Sequence, residues 1–148
     1  MKNIMKLALI IFLSITITGC SDKNIDISKI QTNLENDYPS FDKLDKESLE
    51  GSYGIDTSKF ENYIVVIDKT SNKGSMYAVF KAKKNDSESA EYEAEYFIDR
   101  YKDSWSLGYF PEETKLVNEG VKEIYGEYII FVVNKDPDKI ISKIKNSK

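Results

Sequence analysis

Apolar residues recur along the chain in two rhythms, and each predicts a different kind of element. A period near 3.6 marks helices. Ile27, Ile30, Leu34 and Tyr38 share one helical face, with Ser28 as N-cap and Gln31 three residues later as a capping box, and Pro39 ends the element. The same rhythm is strongest over residues 88–105, where Ala90, Ala94, Phe97, Ile98, Tyr101 and Trp105 fall within an arc of about 100° behind Asp86 as N-cap. Pro111, followed by Glu112 and Glu113, starts a short helix carrying Leu116 and Val117. Asp136 and Pro137 start a terminal helix with Ile140, Ile141 and Ile144 inward, and another short helix is expected near residues 45–51.

Strands show as short runs rich in Val, Ile, Tyr and Phe. Residues 63–67 and 76–82 read as an antiparallel pair joined through the turn-forming stretch 68–75. Residues 121–125 and 127–133 read as a hairpin about Gly126, and the uninterrupted apolar run Tyr128 to Val133 predicts a strand covered on both faces. The order helix-strand-strand-helix-strand-strand-helix, with the strands in closely spaced pairs, predicts an α+β fold: an antiparallel sheet of about four strands packed with helices.

One apolar run fits neither rhythm. Lys2 and Lys6 precede Leu7 to Ile17, eleven residues where a bilayer span needs about 20, so the segment reads as a secretory signal peptide. It closes on Ile17-Thr18-Gly19-Cys20, which resembles the lipobox of bacterial lipoproteins: a branched apolar residue, two small residues and a cysteine. That resemblance implies a signal over residues 1–19, diacylation of the Cys20 thiol, a tether over 20–27 and one domain over 28–148. Two acyl chains, at about 0.8 kcal/mol per buried methylene, make a stable anchor where one is marginal.

Removing residues 1–19 leaves 129 of the 148 residues and moves the formal net charge from −4 to −6. An acidic domain gains nothing from nucleic acid, and its lipid rather than its surface is expected to hold it to the membrane. With Cys20 the only cysteine, no disulfide is available, and the absence of histidine excludes an imidazole-based triad, zinc site or pH switch. The chain has 20 lysines and one arginine, Arg100, together with frequent isoleucine and asparagine, a bias typical of a low-G+C genome. The expected location is the outer, extracytoplasmic face of the cell membrane.

A second resemblance rests on Met76-Tyr77-Ala78-Val79-Phe80-Lys81-Ala82-Lys83, an acidic helix with one arginine, Tyr109-Phe110-Pro111, Tyr125-Gly126-Glu127-Tyr128 and Asp136-Pro137-Asp138-Lys139-Ile140. In this order they resemble the domain-of-unknown-function family numbered 4358, small lipoproteins of low-G+C Gram-positive bacteria, over about residues 28–145. The motifs are core strands and turns, so the resemblance implies a fold and no activity, cofactor or functional residue.

Candidate chemistry is sparse. Asp68, Thr70 and Asn72 alternate as in a calcium loop, but Lys73 and Val79 stand where such a loop needs glycine and a bidentate glutamate, and a polar hairpin turn is the better reading. Glu88, Glu91, Glu93, Glu95, Asp99 and Asp103 spread around the solvated side of one helix, with nothing forced to meet them as an acid–base pair. Ser58-Lys59 and Ser142-Lys143 are merely adjacent, no glycine-rich phosphate loop is present, and no cofactor is expected. Tyr92 and Tyr96 lie one turn apart, opposite the apolar arc, and are the candidate partner-binding residues; packing against residues 39–61 is the competing reading. The expectation is a non-catalytic binding or scaffolding module for a protein partner or a cell-wall glycan or peptide. The alternative is a cell-wall hydrolase with two carboxylates about 5 to 9 Å apart.

Overall fold

A computed structural model describes residues 23–148; the signal segment and Cys20 lie outside the described residues. Five helices surround one five-stranded antiparallel sheet, a mixed α+β fold with one strand more than expected. In chain order the elements are α1 (Ile27–Glu35), β1 (Phe41–Lys43), α2 (Lys46–Ser52), a 3-10 turn (Thr57–Lys59), β2 (Phe60–Asp68), β3 (Met76–Ala82), α3 (Ser87–Trp105), α4 (Pro111–Asn118), β4 (Val121–Tyr125), β5 (Tyr128–Val133) and α5 (Pro137–Lys145). The sheet order is β1-β2-β3-β5-β4.

Strand alternation divides the core in two. Val65, Met76, Ala78, Phe80, Ile129, Phe131 and Val133 face α2, α3 and α4. Ile64, Val66, Tyr77, Val79, Tyr128, Ile130 and Val132 face α1 and α5. The whole of β5 is buried because helices cover it on both faces. In α3 the predicted arc is the buried one, although the Asp86 side chain makes no capping bond.

Three local expectations are corrected. Asp26, not Ser28, caps α1: its Oδ1 accepts the Ser28 N–H at 3.1 Å, and the Ser28 hydroxyl donates to the same oxygen and is thereby used up. The helix stops at Glu35, where Asp37 and Tyr38 both turn their N–H groups back to the Leu34 carbonyl, yet Tyr38 still packs its ring 5.1 Å from Phe41. β1, a three-residue edge strand, went unread because three residues are too few to show a period.

The N-terminal segment belongs to the fold earlier than the expected tether allows. Ile25 and Ile27 are buried, each contributing roughly 1.5–3 kcal/mol. The Tyr128 hydroxyl accepts the Ile25 N–H at 3.1 Å and donates toward Asn24 Oδ1 or the Ile25 carbonyl. Asp26 N–H donates to the Ser147 carbonyl at 2.8 Å, which joins the first and last described segments.

Candidate functional site

Helix α3 carries both the tyrosines that the pattern singled out and the start of a site that it did not. Tyr92 stands free, 72% exposed, whereas Tyr96 is 40% exposed and lies against Gly54, where an added Cβ would sit 3.7 Å from the tyrosine hydroxyl. The structure therefore gives them different surroundings: Tyr96 leans on the 39–61 segment and Tyr92 does not. The acidic side of the same helix is also partly engaged. Glu91 and Glu95 pair with Lys122 on β4, and Glu93 accepts the Asp56 N–H at 2.5 Å. These three carboxylates fasten α3 to its neighbours on either side, with Glu91 and Glu95 still about half exposed to solvent.

At the C-terminal end of α3 the chain runs through residues 106–110 before α4, with Gly108 at φ +73° making the left-handed bend. Leu107 is 76% and Tyr109 80% exposed, with Phe110 next to them. Across from them is the β2–β3 turn, and behind them stand Trp105, Tyr101 and Tyr53. Together these elements enclose an open groove of about 420 Å³. A second hollow of about 470 Å³ continues past Tyr109 and Phe110 toward Glu112 and Glu113.

The groove rests on a fixed frame. The buried Tyr101 hydroxyl donates to the Gly74 carbonyl at 3.0 Å, and the Gly74 N–H donates to Glu113 Oε2 at 2.9 Å. Lys73 Nζ donates to Glu113 Oε1 at 3.0 Å, and the Thr114 hydroxyl donates to the Trp105 carbonyl at 2.7 Å. Glycine is required at position 74, since a Cβ there would lie 2.5 Å from Val117 Cγ2 and 3.4 Å from the Trp105 ring. The frame thus locks the β2–β3 turn to α3 and α4, and the aromatic loop is held on it.

Electrostatically the groove is poised for contact more than for proton transfer. Burial pushes the Glu113 carboxyl up, but the Gly74 N–H and the Lys73 ammonium outweigh it and hold the group below its ordinary value. Asp68 is likewise held down: burial is opposed by the N–H and hydroxyl of Thr70, by Ser40 and by Lys73. The hydrogen bond to Glu113 raises Lys73 in turn. Burial raises the Tyr101 and Tyr53 hydroxyls, which keeps both neutral. Among the described residues, no group of three His, Cys, Asp or Glu side chains is placed to hold a metal, and no helix is long and apolar enough to cross a membrane.

The groove residues Leu107, Tyr109 and Phe110 were not singled out as a site from the sequence. A signal was present in Trp105-Ser106-Leu107-Gly108-Tyr109-Phe110, four large apolar side chains in six residues with a glycine and no helical period. A loop cannot bury that many, so some must be exposed.

The model of one protein family, described as a domain of unknown function (DUF4358), matches residues 34–134. The matched span holds the whole sheet and the groove, and it leaves out α5 and nearly all of α1. No curated protein and no solved structure matches the chain.

Proposed function

Because the chain belongs to the DUF4358 family, which is defined by its domain and not by an activity, we propose its function from its own leader and surface. It is a lipid-anchored extracytoplasmic module that binds a partner at the cell surface and performs no catalysis. The leader Lys2 to Cys20 supports the anchor, with a diacylated Cys20 holding the domain to the outer face of the membrane.

The observation that carries the binding reading is the exposed Leu107, Tyr109 and Phe110 on a hydrogen-bonded frame. Large apolar and aromatic side chains kept in water at a rigid site are the usual anchors of recognition. A carboxylate hydrolase would need one acid with a raised pKa to protonate a leaving group. Asp68 and Glu113, the carboxylates at the groove, are both shifted the other way.

Two experiments test the reading. Cys20→Ala should move the full-length chain out of the membrane fraction after an alkaline salt wash; retention would sink the anchor. Crosslinking on intact cells should recover a partner from the native protein and lose it with Leu107→Ser and Tyr109→Ser. Turnover of a glycan or peptide library, abolished by Asp68→Asn or Glu113→Gln, would instead establish the hydrolase.

A further inference from the structure

The average charge of the chain conceals a difference between the two ends of the sheet. One end collects the N-terminal segment, the β4–β5 turn about Gly126, the β3–α3 connection and the 3-10 turn: Ala82 donates to the Glu127 carbonyl, and Phe60 pairs with Ala82. The groove lies at the opposite end, separated by the length of α3, whose 19 residues rise about 28 Å at 1.5 Å each.

The tether is shorter than the sequence suggested. Asn24 and Ile25 are already held by Tyr128, and Lys23 lies against Gly126, its Nζ 5.3 Å from the centre of the Tyr125 ring. Between Cys20 and Lys23 the chain can reach at most about 11 Å, comparable to a Debye length of roughly 8–10 Å. An anchor at Cys20 therefore keeps this end of the domain within range of the headgroups.

Cations without a described carboxylate partner gather there. Of the nine such side chains among the described residues, Lys23, Lys59, Lys83, Lys84 and Lys148 are at the anchor end, Lys102 and Lys135 at the groove end, and Lys43 and Arg100 elsewhere. Acids at the same end offset part of this charge: Asp56, which accepts from Ser58 and lies near Lys59 and Lys83, Asp86 and Glu88 at the positive N-terminus of α3, and Glu127. At the groove end Asp103 and Glu112 make no ion pair with a described residue, nor do Lys102 and Lys135, and Lys73 is bound to Glu113.

We propose that the domain stands upright on the membrane: Lys23, Lys59, Lys83, Lys84 and Lys148 lie against anionic phospholipid headgroups, and the Leu107–Phe110 groove points away from the bilayer. This orientation rests on the anchoring at Cys20 proposed above. Each lysine within a Debye length of an anionic surface strengthens the contact by about fivefold, so five lysines suffice to select one pose of a domain that the lipid already holds in place.

The test uses the full-length lipidated protein in phosphatidylglycerol vesicles containing a spin-labelled quencher lipid. A fluorophore goes on a single introduced thiol, Ser87→Cys at the anchor end or Tyr109→Cys at the groove. The label at 87 should be quenched several-fold more than the label at 109. Lys59→Glu, Lys83→Glu and Lys84→Glu together, all outside the core, should shrink that ratio. Equal quenching at the two sites, stronger quenching at 109, or a ratio indifferent to the three charge reversals would overturn the orientation. Failure of the anchor itself would show separately, as an unmodified mass for the Cys20 peptide.

Discussion

At each end of the sheet a buried tyrosine holds a stretch of chain against the core. Tyr128 holds Asn24 and Ile25 at one end, and Tyr101 holds the Gly74 carbonyl at the other. What surrounds them differs. Around Tyr128 the surface is polar, and the Nζ atoms of Lys23 and Lys145 lie 5.3 and 5.1 Å from the centre of the Tyr125 ring. Around Tyr101 the structure leaves Leu107 and Tyr109 in water. The same device thus secures the N-terminal segment at one end and stiffens the frame under an exposed apolar loop at the other, so a rigid frame by itself does not distinguish the two ends. The exposed apolar side chains do.

The comparison breaks most visibly at the glycines. Gly74→Ala forces a Cβ to within 2.5 Å of Val117 and should cost about 1–3 kcal/mol in urea denaturation. Gly126→Ala at the other end comes no nearer than 3.2 Å, to Lys23 Cβ, but sits at φ +63°, and should cost about 1–2 kcal/mol. An equal or larger loss at Gly126 would contradict the tighter frame assigned to the groove end.

Next in size are the two hydroxyls. Tyr128→Phe and Tyr101→Phe should each cost about 1–2 kcal/mol by leaving buried groups unpaired, with opposite footprints in hydrogen exchange. The first should release the Ile25 amide and spare the β2–β3 turn, and the second should do the reverse. A common footprint would mean that the ends do not act separately.

Smaller still is a pH effect confined to the groove end. The folded-state pKa of Glu113 lies below its ordinary 4.5, so its contribution is fully present above that value and fades as pH falls through the folded one. Glu113→Gln should therefore be less stable than the parent by about 1 kcal/mol at pH 7, with the gap closing below pH 4. A gap that persists unchanged in acid would remove the charge from the account.

The smallest stability changes are expected where recognition is assigned. Leu107→Ser and Tyr109→Ser should alter stability by less than about 0.5 kcal/mol, while reducing partner crosslinking. Tyr92→Ala should be equally mild and Tyr96→Ala slightly costlier through its lost contact with Gly54. A large stability loss at Tyr109 would turn the groove into ordinary packing.

The legible parts of this fold are those in which one segment carries its own periodicity. The buried arc of α3 and the apolar run of β5 can be read directly, because burial of a helix stripe or a covered strand repeats within a few residues. β1 has no such repeat in its three residues, and its pairing with the end of β2 depends on chain 25 positions away. The position of β4 outside β5 is equally a tertiary fact. The groove was hidden for the same reason. Glu113 and Gly74 are 39 residues apart, and no spacing along the chain announces that the N–H of one meets the carboxylate of the other. Tyr92 and Tyr96 were visible because they lie on a helix, which is also why their outward positions say little about function.

The bond between Asp26 and Ser147 places the first and last described segments side by side. A short linker from Ser147 to Ile25 would close residues 25–147 into a circle, and new termini could be opened within residues 106–109 to give a circular permutant. For the native order, a reporter fused after Lys148 would emerge beside Asp26, at the end of the sheet away from the aromatic loop, and leave that loop unobstructed, whereas any insertion at Gly108 would cap it.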